Sequence, residues 1–137
     1  MAKTRSLGLD IGDRWIGVAM SDPLGILASP LPIIDRTNEP SGINAVLAII
    51  EQNQVGVIVV GLPISMNGNI GPQAEKVQAF ARELSKHTKV PLEFRDERLT
   101  TVSAQKLMKM TGKGRRARDD AMAAALILQE YLDEKMA

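Results

Sequence analysis

Three places in the chain carry acids that could do chemistry, and they lie far apart in sequence. Asp10 stands in the alternating run RSLGLDI (residues 5–11), opposite Leu7, Leu9 and Ile11 and beside the Gly12 turn. A carboxylate on a central strand is costly to bury unless it meets a cation or a donor; an aspartate that simply caps the turn would look the same. Asp96-Glu97-Arg98 follows the stretch Val90–Phe94. Ligands bind beyond the carboxyl ends of strands in open α/β sheets. Glu97 is a candidate metal ligand there, and Arg98 could steady a phosphate or a neighbouring carboxylate. A helix start capped by Thr100 or Thr101 would use the same residues. Asp119-Asp120 opens the last helical pattern. At about 100° per residue, Asp119 projects with Glu130 and Asp133 toward solvent, whereas Asp120 falls between Ile127 and Tyr131 on the apolar face. A sheet-facing aspartate at a helix start is hard to explain as decoration. The set is all-oxygen and suits Mg²⁺ or Mn²⁺. Two such ions could activate a water and stabilise the departing oxygen of a phosphodiester, with no cysteine or histidine required.

The composition leaves little room for other chemistry. The chain has 137 residues, no cysteine and one histidine, His87. Thiolate zinc sites, iron–sulfur clusters, disulfides and a cysteine nucleophile are thereby excluded. Its 17 basic and 16 acidic residues nearly cancel, but they are unevenly placed. Residues 106–118 (KLMKMTGKGRRAR) hold six cations and no acid, leaving eleven cations against sixteen acids elsewhere. Such a patch on an acidic body is the electrostatic footprint of a polyanion-binding protein, although a solvated loop shares the composition. Arg14, Arg98, Lys113, Arg115, Arg116 and Arg118 are the candidate contacts to a nucleic-acid backbone. Aromatics are 3% of the chain, which favours reading backbone and shape over stacking on bases. Gly112-Lys113-Gly114 lacks the spacing of a phosphate-binding P-loop.

These residues need elements to position them. Strands are expected at 5–11 and 14–20, joined by a turn at Gly12-Asp13, then an extended stretch 26–34 that Pro30 and Pro32 confine to a sheet edge. Ser41 can cap a helix through about Asn53. Val55–Leu62 (VGVIVVGL) is a β-branched run typical of a strand covered on both faces. Pro72 opens a helix to about His87; Val90–Phe94 is a short strand; Thr100 or Thr101 begins another helix, and a last one spans about Arg118 to Lys135. The order describes an α/β domain: a three-strand antiparallel meander extended by two parallel strands, with helices on both faces. One domain over residues 1–137 is expected. Met-Ala-Lys-Thr-Arg leads straight into a strand, and the apolar runs fall short of the ~18 residues of a membrane span, so the expectation is a soluble, cytoplasmic protein without membrane contact.

The motifs themselves resemble a known family. Gly8-Leu-Asp10-Ile-Gly12-Asp-Arg14-Trp-Ile-Gly17-Val-Ala19 is similar to the opening motif of the YqgF (RuvX) family. Val60-Gly61-Leu62-Pro63 with Met66-Asn67-Gly68, then Asp96-Glu97-Arg98-Leu99-Thr100-Thr101, then Asp120-Ala-Met-Ala-Ala124 through Gln129, resemble its later motifs in order. The resemblance implies a ribonuclease H-like fold and a nuclease; the family is described as pre-16S rRNA nucleases and, earlier, as Holliday junction resolvases. Its acidic triad falls on Asp10, Glu97 and Asp120, and motif position favours Glu97 although strand phase groups Asp96 with Leu92 and Phe94. Asp13 and Trp15 depart from the family pattern at the hairpin tip.

The leading expectation is thus a metal-dependent endonuclease acting on structured RNA, the 5′ end of pre-16S rRNA above all, as a monomer or weak homodimer. Resolution of four-way DNA junctions is the alternative within that chemistry; it needs two symmetric cuts, and no long apolar stripe announces a dimer interface. A non-catalytic nucleic-acid or ribosome-binding module would use the basic segment alone. An actin-like ATPase, suggested by Asp10-x-Gly12, would need a second domain around the nucleotide.

Overall fold

The computed structural model describes residues 4–37, 42–64, 67–96 and 117–136, with backbone alone for 117–120 and 136. Its strands are β1 (Arg5–Ile11), β2 (Trp15–Ser21), β3 (Ala28–Asp35), β4 (Val55–Leu62) and β5 (Leu92–Asp96). The helices are α1 (Ile43–Asn53), α2 (Pro72–Ser85) and a long terminal one, α3 (Ala117–Met136). The strands form one sheet in the order β3-β2-β1-β4-β5. β1, β2 and β3 pair antiparallel, while β4 and β5 add parallel to β1, so the expected meander and its parallel extension are both present.

Alternation along the strands separates the two faces. Leu7, Leu9 and Ile11 of β1, with Val18, Val60 and Leu62, pack under α1 and α2 in one continuous apolar core. On the other face Ala19 and Val59 meet Ala124, Ile127, Leu128 and Leu132 of α3. Gly8 explains how close that helix comes. A Cβ there would lie 2.9 Å from Cβ of Leu128 and 3.0 Å from the Ala124 carbonyl oxygen, nearer than such atoms normally approach.

Several boundaries differ from the sequence expectation. β5 runs to Asp96, two residues past Phe94, because Gly61 and Leu62 of β4 continue to pair with Arg95 and Asp96. α1 takes Gly42 as its N-cap, in the left-handed conformation at φ 74°, with no side-chain cap bond; Ser41 lies outside the described residues. α2 ends at Ser85, which leaves His87 beyond it, with Nε2 3.2 Å from Glu83. The expected helix after Thr100 also falls outside the described residues. Pro30 and Pro32 sit within β3, the edge position that suits a residue lacking an N–H.

Candidate active site

Asp10 stands one residue before the end of β1, at the edge where β4 and β5 also finish. Its strand phase is that of Gly8, which faces α3, so the half-buried Asp10 shares the α3 side of the sheet. The rung across the sheet is informative. Asp10 pairs with Gly17 on β2. Leu9 pairs with Val60, so the next step sets Gly61 beside Asp10 on β4, and Gly61 pairs with Arg95 on β5. The carboxylate therefore stands between two residues that have no side chain to fill the space beside it. A carboxylate oxygen donor suits a hard divalent cation.

Asp96 belongs to the opposite face. It pairs with Leu62 of the α1/α2 core and shares the phase of Leu92, which packs against that core. Arg95 takes the Asp10 face instead. Its Nη1 and Nη2 donate to Glu134 of α3 at 2.8 Å each, and Nη2 reaches Glu130 at 3.4 Å. The Glu134 carboxylate raises the pKa of the guanidinium further, and Arg95 in turn holds Glu134 below the ordinary carboxylate range. Glu93, two residues earlier, accepts from the Tyr131 hydroxyl at 3.1 Å. Burial and this carboxylate together push the tyrosine pKa up. On the other flank of α3, Gln129 accepts from the Ala28 N–H at 2.8 Å and donates to the Ile26 carbonyl at 2.9 Å. The helix that begins with Asp119-Asp120 is thus tied to both edges of the sheet. Glu130, expected on the solvent face, turns toward Arg95, whereas Asp133 is exposed.

The hairpin tip borders the same end of β1. The Gly12 N–H donates to the Trp15 carbonyl at 2.9 Å, which closes the turn. Arg36 donates to the Gly12 carbonyl at 2.8 Å, and Lys76 of α2 binds Asp13 at 3.2 Å. Asp13 therefore gives the tip an anchor on α2. Arg14 is exposed, with its guanidinium carbon 4.5 Å from the Trp15 ring centre and Nε 3.9 Å from Asp35. Asp35 is held below its usual range first by the Thr37 hydroxyl, then by the Thr37 N–H, with Arg14 adding to the effect.

Of the other expected site residues, Glu97, Arg98, Lys113, Arg115 and Arg116 lie outside the described residues. Arg118 and Asp120 are in the first turns of α3, described by their backbone only. Ala124, Ile127 and Leu128, at helical spacing from Asp120, are buried against the sheet. Among the described residues no three acids or histidines gather around one ion position. Arg95, Gly17 and Gly61 were not singled out from sequence as parts of one rung. A basic residue preceding Asp96-Glu97 and two acids four apart on the last helix were the available signal for the Arg95 clamp.

The family model described as "RuvX: Holliday junction resolvase" matches residues 4–134. A protein of Dehalococcoides mccartyi named "Putative pre-16S rRNA nuclease" is 51% identical over 125 residues, covering 90% of this chain and 94% of its own. A protein of the same name from Roseiflexus sp. is 48% identical over 134 residues, 96% of this chain and 95% of its own. Among solved structures, T. thermophilus RuvC in complex with a Holliday junction substrate matches with a TM-score of 0.64 at 14% identity, covering 98% of this chain and 96% of that one. The Fowlpox virus resolvase bound to Holliday junction DNA matches with a TM-score of 0.57 at 10% identity, over 98% and 100% of the two chains. At such identities the structural likeness shows the fold, a ribonuclease H-like mixed sheet.

Proposed function

The chain belongs to the RuvX family, and on that premise we propose that it is a divalent-metal-dependent endonuclease that hydrolyses phosphodiester bonds in structured nucleic acid. The substrate we propose is the 5′ region of pre-16S rRNA, in keeping with the names of relatives near 50% identity. The observation that carries the reading is the rung itself: Asp10 on the central strand, between two glycines, facing the helix on which Asp120 stands.

Asp10, Glu97 and Asp120 hold Mg²⁺ or Mn²⁺ in this reading. The phase of β5 supports Glu97 over Asp96, since Asp96 belongs to the face away from Asp10. Bound there, divalent ions supply an activated water and positive charge for the departing oxygen. The chain's own side chains do the rest. Arg14 at the hairpin tip, Arg98, and Lys113, Arg115, Arg116 and Arg118 before and at the start of α3 hold backbone phosphates and fix the scissile bond in register. Such a protein works in the cytoplasm; no described helix is long and apolar enough to cross a membrane.

The test is cleavage of two labelled substrates, a pre-16S rRNA fragment and a four-way DNA junction, by purified protein in Mg²⁺ or Mn²⁺, with Asp10→Asn in parallel. Metal-dependent cutting of the RNA, lost in the variant at unchanged melting temperature, is the expected result. Cutting of the junction alone would move the substrate to branched DNA, consistent with the description of the family model. Binding with no cutting of either substrate would overturn the nuclease reading.

A further inference from the structure

A second basic surface lies on the face of the sheet opposite Asp10. Between the C-terminal half of α2 and β5 runs a groove of about 750 Å³, and among the described residues three cations and no carboxylate line it. Arg82 comes from the last turn of α2, Lys86 caps that helix, and Lys89 lies on the segment leading into β5. All three are exposed. Cations at a helix C-terminus are expected for the sake of the macrodipole, which accounts for Arg82 and Lys86. It does not account for Lys89, nor for Phe94 on the groove's other wall. Phe94 is one of two phenylalanines; Phe80 is buried in the core, while Phe94 is 44% exposed. Three acids lie near in sequence, and none lines the groove: Glu93 faces Tyr131 on the α3 side, Asp96 follows Phe94 on the groove's face at the end of β5, and the exposed Glu83 pairs with His87 and with Lys86, which leaves Arg82 and Lys89 as the groove's principal cations.

We propose that this groove binds a single strand of nucleic acid flanking the structured substrate, with Arg82, Lys86 and Lys89 on its phosphates and Phe94 under a base. A cationic track beside an exposed ring is how strands are bound without sequence readout. Two features fix the occupant and its path. The lining is wholly cationic or neutral, which selects a polyanion. Phe94 also stands two residues before the end of β5, and the proposed ligand Glu97 follows that end directly. Among the described strands β5 is the outermost on this side, so a flank can pass around its edge from one face to the other. The inference rests on the nuclease reading for where the strand comes from, and not for whether the groove binds it.

The experiment uses the full chain carrying Asp10→Asn, so that binding is read without cutting. A labelled RNA hairpin with a single-stranded flank of about eight nucleotides is compared with the same hairpin without it, by fluorescence anisotropy across a salt series. The flank is expected to tighten binding about tenfold, and Arg82→Ala with Lys89→Ala to return affinity to the blunt hairpin's value. Losing two phosphate contacts lowers the slope of log K against log salt by about 1.4. Phe94→Ala is expected to weaken flank binding at least about fivefold, and Phe94→Leu, which keeps apolar area without the ring, to do nearly the same. The side chains are exposed, and equal melting temperatures verify that each variant is folded. No flank advantage, or one that survives all these changes, overturns the proposal. A flank of the same sequence in DNA separates ribose recognition from backbone recognition. Wild-type cleavage is scored separately: a flank advantage without cleavage removes the nuclease reading and leaves the groove, while cleavage without a flank advantage removes the groove alone.

Discussion

The two faces of the sheet are built on different terms. Under α1 and α2, the described residues include eighteen buried in one apolar cluster; under α3 the corresponding cluster has six. The first face is closed by branched and long aliphatic side chains, and burial of that kind supplies most of a domain's stability. The second has Gly8, Gly17, Ala19 and Gly61 where the first has leucine, isoleucine and valine. Small residues let α3 come close, and the buried Ala124, Ile127, Leu128 and Leu132 pack directly on the strands. Polar ties to both edges of the sheet, through Arg95, Tyr131 and Gln129, add to the helix's hold. The lesson is a division of labour: one face is closed by bulky aliphatic side chains, and the other uses small residues that bring a helix close beside the half-buried Asp10.

The contrast can be broken from either side. Leu9→Ala on the closed face should cost about 2–5 kcal/mol, seen as a lower urea midpoint for the whole domain in a single transition. Gly8→Ala on the α3 face should cost less, about 1–3 kcal/mol of overpacking, because its Cβ collides with Leu128 and the Ala124 carbonyl. Its larger effect should be on cleavage, which should fall severalfold further than the folded fraction does, since the helix carrying Asp120 must shift. A loss of activity matched to the loss of folded protein would show the two faces to be equivalent after all. Acid should give the smallest effect. Arg95 depresses the pKa of Glu134 from its ordinary value of 4.5, so this carboxylate stabilises the fold above that value, and the contribution is lost as pH falls through the lower folded-state value. Hydrogen exchange at α3 amides should therefore accelerate relative to β1 below pH 4.5 but not at pH 5 and above. Arg95→Met should remove that difference.

The sheet was legible because its signals are local. Alternation at 5–11, the β-branched run at 55–62 and the prolines at 30 and 32 name a strand, a central strand and an edge without reference to anything distant. Asp10 was legible for the same reason, as the acid out of phase with its apolar neighbours. The end of β5 was not, since Arg95 and Asp96 are extended only because β4 continues beside them. Nor was the role of Arg95, whose partners lie 35 and 39 residues away and become neighbours only when α3 docks. The partner of Arg14 was not legible either: its guanidinium lies over the Trp15 ring beside the turn.

Pro30 and Pro32 have a consequence outside the chemistry. An exposed strand edge is a template on which a second chain can polymerise, and proteins commonly blunt such edges. With two N–H groups missing from β3, that rim of the sheet cannot propagate a hydrogen-bonded ladder. The protection is permanent and needs no partner, so crowding on this side should not lead to β-aggregation.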